Sequence, residues 1–359
     1  MAIFDTTDFT LSQEEIKSIN EVIFEDSFKN PAIDAFHKVV EGIVAKKRIV
    51  ILGKVQGLLG KGSGECDPTS SSNQVESTSK TWDPVIISDR LEQCYKDLMD
   101  SFWVYMLQQG KDKADVTSTE FAAYLTEVMN DAIFETILRF AWLGDTNADT
   151  IANGGYLKNG TDPDYFNKVD GYWVQVLAIV AANAARKTST TISTRNAAAS
   201  YALQAFTTAD TTNKVVSEAL TNVRLGADLR LREKTDLVYV CTQSVADQYE
   251  RELINANISF TTERLEGGIT VLRNGGIEIY AFSLLDRIIQ TYQDNGTKWN
   301  NPHRLILTTK SNLGLGVESV GALDALDIFY DKKSKKNFVD FAVSMDAKIF
   351  SDNLIQATY

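Results

Sequence analysis

Residues 47–59 read KRIVILGKVQGLL, a run of β-branched and aliphatic side chains, and residues 73–89 return as NQVESTSKTWDPVIISD with weak alternation. A glycine- and serine-rich tip joins them, which predicts a long β hairpin. A two-stranded hairpin is marginal in water, and this one pairs an apolar strand with a polar one. It offers little apolar area to bury within its own chain. Any fold for this sequence must supply a surface that covers the arm.

The residues before the arm pose the same problem. SQEEIKSINEVIFEDSF (12–28) puts Ile16, Ile19, Ile23 and Phe24 on one helical stripe, with Ser12 and Glu15 as a capping box. Asn30-Pro31 starts a second predicted helix, with Ile33, Phe36, Val40 and Ile43 on its apolar face and His37 within it. Two short amphipathic helices form no core alone, so they too need a surface to lie on, which an adjacent chain can provide.

The tip of the arm, GKVQGLLGKGSGE (53–65), has the composition of a phosphate loop without its spacing. Gly60-Lys61 is followed by Gly62 where serine or threonine is required, and the position five before Gly60 is Val55. The dinucleotide pattern fails at Glu65, and no helix opens in the polar CDPTSSSNQVESTSK that follows. The glycines and lysines therefore predict a hairpin tip and no nucleotide cofactor.

With 359 residues, 44% hydrophobic and 23% charged, the chain is long enough for two domains or one elaborate one. Its net charge of −12 excludes a sequence-wide basic footprint for nucleic acid. Cys66, Cys94 and Cys241 are widely spaced, odd in number and free of any Cys-x-x-Cys pair, as expected of reduced thiols. The start, MAIFDTTDFTLSQEE, lacks a signal peptide's basic opening and apolar centre, and the longest apolar run, 173–185, is too short to span a bilayer. The expectation is a soluble protein, intracellular at synthesis, with no membrane partner.

The most strongly periodic segment is 117–146. Phe121, Leu125, Val128, Met129, Ala132, Ile133, Ile137 and Phe140 line one side of about six helical turns. Thr117 or Ser118 caps the start and Gly144 stops the helix. Ile133 and Ile137 are expected to face the terminal strands near 338–345 and 347–357. From 171 onward helices and strands alternate, with a hairpin around Asn274-Gly275, a strand in HRLILTTK and paired strands at the end. The fold class is mixed α+β.

Chemistry is sparse. His37 and His303 are the two histidines, Ser63 lies outside any nucleophile elbow, and no cysteine–histidine cluster has zinc spacing. Asp145, Asn147 and Asp149 have calcium-loop spacing, but Thr150 replaces the sixth-position glycine and Tyr156 the twelfth-position glutamate. A polar loop capping the long helix accounts for them. Lys332, Lys333, Lys335 and Lys336 read as a charged turn. The sequence predicts no enzyme, no cofactor and no metal.

The order of elements, together with FETILRFAWLGDT, NGGIEIYAF, HRLILTTKSNLGLGVES and FAVSMDAKIFSDNLIQATY, resembles the major capsid protein of tailed bacteriophages, the Hong Kong 97-like fold. The resemblance implies an N-terminal arm (1–47), an extended loop (48–90), a peripheral domain (91–170) with spine helix 117–143, an axial domain (171–320) and C-terminal strands (321–359) returning to the peripheral domain. It implies Lys54, Leu58, Leu59, Lys61 and Trp82 as inter-subunit contacts, with Phe121, Leu125, Ile133 and Ile137 as the core face of the spine. The protein would assemble with itself as pentamers and hexamers of an icosahedral virion shell in the host bacterial cytoplasm. Packaged double-stranded DNA, held without sequence specificity, and scaffolding, portal and decoration proteins would be its partners. The alternatives are an encapsulin-like cellular compartment shell on the same fold and, from a different class, a soluble α/β enzyme.

Overall fold

A computed structural model of the protein describes residues 35, 37–43, 46–52, 77–94, 104, 132–265, 268–318, 326–331 and 336–359. In chain order its first strands are β1 (Lys38–Val40), β2 (Lys47–Leu52), β3 (Ser77–Trp82) and β4 (Val85–Cys94). Then follow β5 (Leu237–Thr242), β6 (Glu263–Leu265), β7 (Ile269–Asn274), β8 (Ile277–Phe282) and β9 (Leu305–Thr309). The last are β10 (Leu313–Val317), β11 (Leu326–Asp331), β12 (Lys336–Ile349) and β13 (Gln356–Thr358).

One sheet has the order β13-β9-β5-β8-β7-β6. Its centre, LVYVCT beside LILTT, reads as continuous apolar sequence because both faces are covered. Val238, Val240 and Ile306 join a core with the 132–143 and Tyr172–Ala182 helices. Tyr239, Cys241, Leu305 and Leu307 join a second core with the Val215–Gly226 and Gln243–Asn255 helices. This division follows the two-residue period of a strand. β5 and β8 are parallel, with the Gln243–Asn255 helix in the crossover between them.

The other large sheet is built on β12, which is 14 residues long. β4 pairs with it over Lys336–Met345, while β11 and β10 lie end to end along its opposite edge, over Lys336–Phe341 and Met345–Ile349. β1 extends this sheet in parallel beside β10. Leu313, Leu315, Val317, Met345, Ala347 and Ile349 share a core with Ile133, Ile137 and Trp142, so one apolar mass joins both sheets. The 132–143 helix ends at Gly144, where an added Cβ would lie 2.3 Å from the Val169 carbonyl oxygen.

Several sequence expectations are corrected. The helix expected from Asn30 is a strand at Lys38–Val40, because the free edge of β10 supplies backbone partners; a stripe of so few residues does not distinguish the two periods. The extended loop does not run to residue 90. β3 ends at Trp82, Asp83-Pro84 interrupts the ladder, and β4 belongs to the β12 sheet. Upstream of the boundary expected at 320, β10 already pairs with β12, directly after the Lys310–Asn312 turn. The terminal strands also divide, with β13 pairing with β9 in the six-stranded sheet. The turn of the β7–β8 hairpin is Gly275-Gly276, with φ of 57° and 84°, and Asn274 pairs with Ile277.

Ile137 is 1% exposed in the joint core. Ile137→Ala should lower unfolding stability by about 2–5 kcal/mol, as for other buried aliphatic truncations. Urea denaturation measures it, and a loss below about 0.5 kcal/mol would place the side chain on a surface.

Candidate assembly site at the root of the arm

Among the described residues the β2–β3 hairpin pairs only with itself, Lys47 opposite Trp82 and Leu52 opposite Ser77. The rest of the chain grips it at its root. β10 reads LGLGV, and its alternating side chains point two ways: Leu313, Leu315 and Val317 enter the core, whereas Gly314 and Gly316 leave the opposite face bare. Aromatic rings lie directly on that bare backbone. A Cβ on Gly316 would be 2.8 Å from Trp82 Cε3 and Cζ3, and one on Gly314 would be 2.3 Å from Phe350 Cζ. Trp82 and Phe350 meet edge to face at 5.8 Å.

Polar groups lock the same joint. The Asp83 amide donates to Asp346 Oδ2 at 2.7 Å, and Lys80 Nζ donates to the Ile349 carbonyl and to Asp352 Oδ1, both at 2.6 Å. Asp346 is 1% exposed. Burial raises its pKa, although the Asp83 amide and Lys348, at 3.3 Å, favour the charged form. Lys46 meets Asp83 at 2.9 Å with both side chains mostly exposed, a pair that contributes little. On the upstream side the Ile43 amide donates to the Val317 carbonyl at 3.0 Å. His37 is buried, accepts a 3.0 Å hydrogen bond from Trp142 Nε1 and stacks on Tyr172. Tyr172 in turn donates to the Gly314 carbonyl at 2.8 Å.

Trp82, expected to contact a neighbouring subunit, is 2% exposed within its own chain. It is the anchor of the arm, because the bare face of β10 takes up its ring. Lys54, Leu58, Leu59, Lys61, Phe121 and Leu125 lie outside the described residues, whereas Ile133 and Ile137 are buried at 4% and 1% exposure. Gly314, Gly316, Asp346 and Lys80 were not singled out from the sequence. The alternating glycines of LGLGV were the available signal, since glycine inside a strand marks a close approach.

The structure also brings together groups that spacing kept apart. Ser244 Oγ lies 2.9 Å from His303 Nδ1, and His303 Nε2 lies 2.9 Å from the Gln204 carbonyl. The carbonyl can only accept, so Nε2 carries the proton and Nδ1 accepts from the serine. Asp286 makes no contact with the ring; its carboxylate accepts from the amides of Gln243 and Ser244 at 2.6 and 3.1 Å, capping the Gln243–Asn255 helix. The imidazole is 6% exposed and hydrogen-bonded on both nitrogens, which describes a structural joint. In the 145–149 loop, Asp145 accepts from the Asn147 amide, and Asp149 accepts from the Thr150 amide and Asn153. No metal-holding group of three ligands occurs among the described residues.

Burial pushes Asp286 up to about 6 and His303 down to about 4. Folded Asp286 binds more proton than the unfolded chain, so its contribution falls as pH rises from about 4 to 6; folded His303 binds less, so its contribution rises across the same window. Asp286→Asn should leave the histidine unopposed, with stability climbing by up to about 1.4 kcal/mol per pH unit. His303→Gln should tilt the profile the other way, and urea unfolding at several pH values reads both slopes.

In the comparison with solved structures, the chain is similar to a chain of the satellite phage P4 procapsid that includes the size determination (Sid) protein. The TM-score is 0.51 at 12% identity, covering 92% of this chain and 97% of that one. It is also similar to Gordonia phage Cozz, with TM-score 0.46, 9% identity and coverage of 91% and 85%. A further similar structure is the holo-SrpI encapsulin complex from Synechococcus elongatus, with TM-score 0.43, 8% identity and coverage of 100% and 95%. No protein-family model and no curated protein sequence matches the chain. The first likeness defines the fold: the protein is folded as a chain of a phage procapsid is folded.

Gly316→Ala would drive a methyl group into the Trp82 ring and should cost about 1–3 kcal/mol, the usual price of overpacking. In a Trp82→Leu background the added cost should shrink. A double-mutant cycle by thermal unfolding measures the coupling, and a zero coupling would remove Trp82 from the joint.

Proposed function

We propose that this protein is the major capsid protein of a tailed phage, with the Hong Kong 97-like fold, assembling into the pentamers and hexamers of an icosahedral shell that encloses double-stranded DNA. The observation that carries the reading is the arm. Its hairpin is fixed at the root by Trp82, Asp83 and Lys80, while among the described residues β2 and β3 pair only with each other. A closed symmetric shell presents the same covering surface to every copy of such an arm. The likeness to a phage P4 procapsid chain over nearly the whole length supports the same reading.

In this reading the tip residues Lys54, Leu58, Leu59 and Lys61 lie on a neighbouring subunit, and the spine helix runs from 117 to 143. DNA sits against the inner surface without sequence specificity, since a chain of net charge −12 repels it overall and grips it only through local basic groups. Scaffolding, portal and decoration proteins complete the assembly in the host cytoplasm, and the chain catalyses nothing.

The purified protein should elute as megadalton particles whose electron micrographs show closed shells with stainable nucleic acid inside. A monomer or dimer under assembly conditions would return the α/β enzyme reading, and shells filled with protein would return the encapsulin-like one. Deleting residues 60–72 should leave the unfolding transition of the unassembled chain intact, because shortening a loop is thermodynamically mild. The same deletion should abolish shells or strip their heat resistance; normal shells of normal stability would remove the arm tip from the interface.

A further inference from the structure

A cleft of about 350 Å³ opens between the 151–156 turn, the Thr191–Ala197 helix and the 293–301 loop. Its lining contains Lys298 and neither aspartate nor glutamate, although the chain as a whole carries a net charge of −12. Trp299 and Tyr156 add aromatic surface, and the remaining polar side chains are carboxamides.

The carboxamides are not neutral in what they offer, because four of their five oxygens are already engaged. Gln293, 2% exposed, accepts from the Arg304 guanidinium at 2.8 Å. A guanidinium has no acceptor, so this contact fixes the amide and leaves Nε2 as the free end. Asn295 Oδ1 accepts from the Thr297 amide and hydroxyl and the Lys298 amide, at 3.0, 2.9 and 2.8 Å. Asn300 Oδ1 accepts from Asn301 Nδ2 at 3.3 Å, and both ends of the Asn196 amide are bound to the His303 backbone.

Five backbone carbonyls of the rim are engaged in the same way. Those of Gln293 and Lys298 accept from the Asn300 and Asn295 amides, and that of Trp299 accepts from Gln204 Nε2. Those of Asn300 and Asn301 accept from Arg304. The side-chain donors left over are Gln293 Nε2, Asn295 Nδ2, Asn300 Nδ2 and the Lys298 ammonium. On the side chains, Asn301 Oδ1 is the one carboxamide oxygen left over. Behind Gln293, Arg304 is 4% exposed, and burial lowers its pKa only to about 9, so it keeps its positive charge at neutral pH.

We propose that this cleft binds a phosphate ester of mononucleotide size, the oxyanion held by these donors and Lys298 and the remainder of the ligand resting against Trp299 and Tyr156. A lining whose free side-chain donors outnumber its one free carboxamide oxygen fits an anion that only accepts, and charge assistance from lysine strengthens each bond. The volume lies in the range of small-molecule sites. The cleft is built from one chain, so the inference stands whether or not the chain forms a shell.

Calorimetric titration of the full-length protein with inorganic phosphate, dTMP, a short oligo-dT and glutamate tests it. Phosphate and dTMP should bind, dTMP more tightly. Oligo-dT tighter than dTMP assigns the phosphate to a strand, and dTMP alone assigns it to a free nucleotide. Asn295→Asp keeps the oxygen that caps the 295–298 turn but replaces the donor with a charged acceptor. It should weaken phosphate and dTMP by at least about tenfold with an unchanged unfolding curve. Lys298→Met should weaken them similarly and flatten the salt dependence. No binding of phosphate or dTMP, undiminished binding in both variants, or tighter binding of glutamate than of phosphate would overturn the proposal.

Discussion

β12 is hydrogen-bonded along both edges, and the rest of the β12 sheet depends on that double pairing. One edge carries β4, the strand into which the arm feeds; the other carries β11 and then β10, strands that enter from a different part of the chain. Losing the register of β12 by one residue would exchange every side chain between its faces. Val343, Met345, Ala347 and Ile349 would leave the joint core, and Asp346 would leave the Asp83 amide. One strand therefore sets both the packing of the core and the departure point of the arm.

The face of β10 turned from the core shows how the arm is held without a large apolar surface. Two glycines remove the side chains that would otherwise stand between backbone and ring, so Trp82 and Phe350 reach van der Waals contact with the strand itself. The polar contacts around them, Lys80 with the Ile349 carbonyl and Asp83 with the buried Asp346, are partly buried, and leaving Asp346 without its partner would be costly. Apolar contact and buried hydrogen bonds thus act at one place, over a few residues.

The local elements of the six-stranded sheet were largely legible in the sequence, because each has a period. LVYVCT, the glycine turn between β7 and β8 and the Gln243–Asn255 helix carry their signals within a few residues. Assignment to sheets was not legible. β10 and β13 are short strands each preceded in sequence by a strand of the other sheet, and nothing local tells which free edge will take them. Lys38–Val40 was misread for the same reason: its partner lies far away in the chain. Trp82 was named as an inter-subunit contact that the resemblance implies, and its receptor within the chain, two glycines in LGLGV, is a set of missing side chains. The donor-lined cleft was invisible, since its character comes from which amide oxygens are already used.

The joint at Trp82 fixes one end of a lever. Six residues of β2 extend it about 20 Å from the root, so a tilt of about 5° at the joint would move the far end by about 2 Å, half a strand spacing. The direction in which β2 and β3 leave the rest of the chain is then decided at the fulcrum, by how tightly one indole ring is seated. A substitution at Gly316, far from either strand in sequence, would therefore re-aim the whole arm.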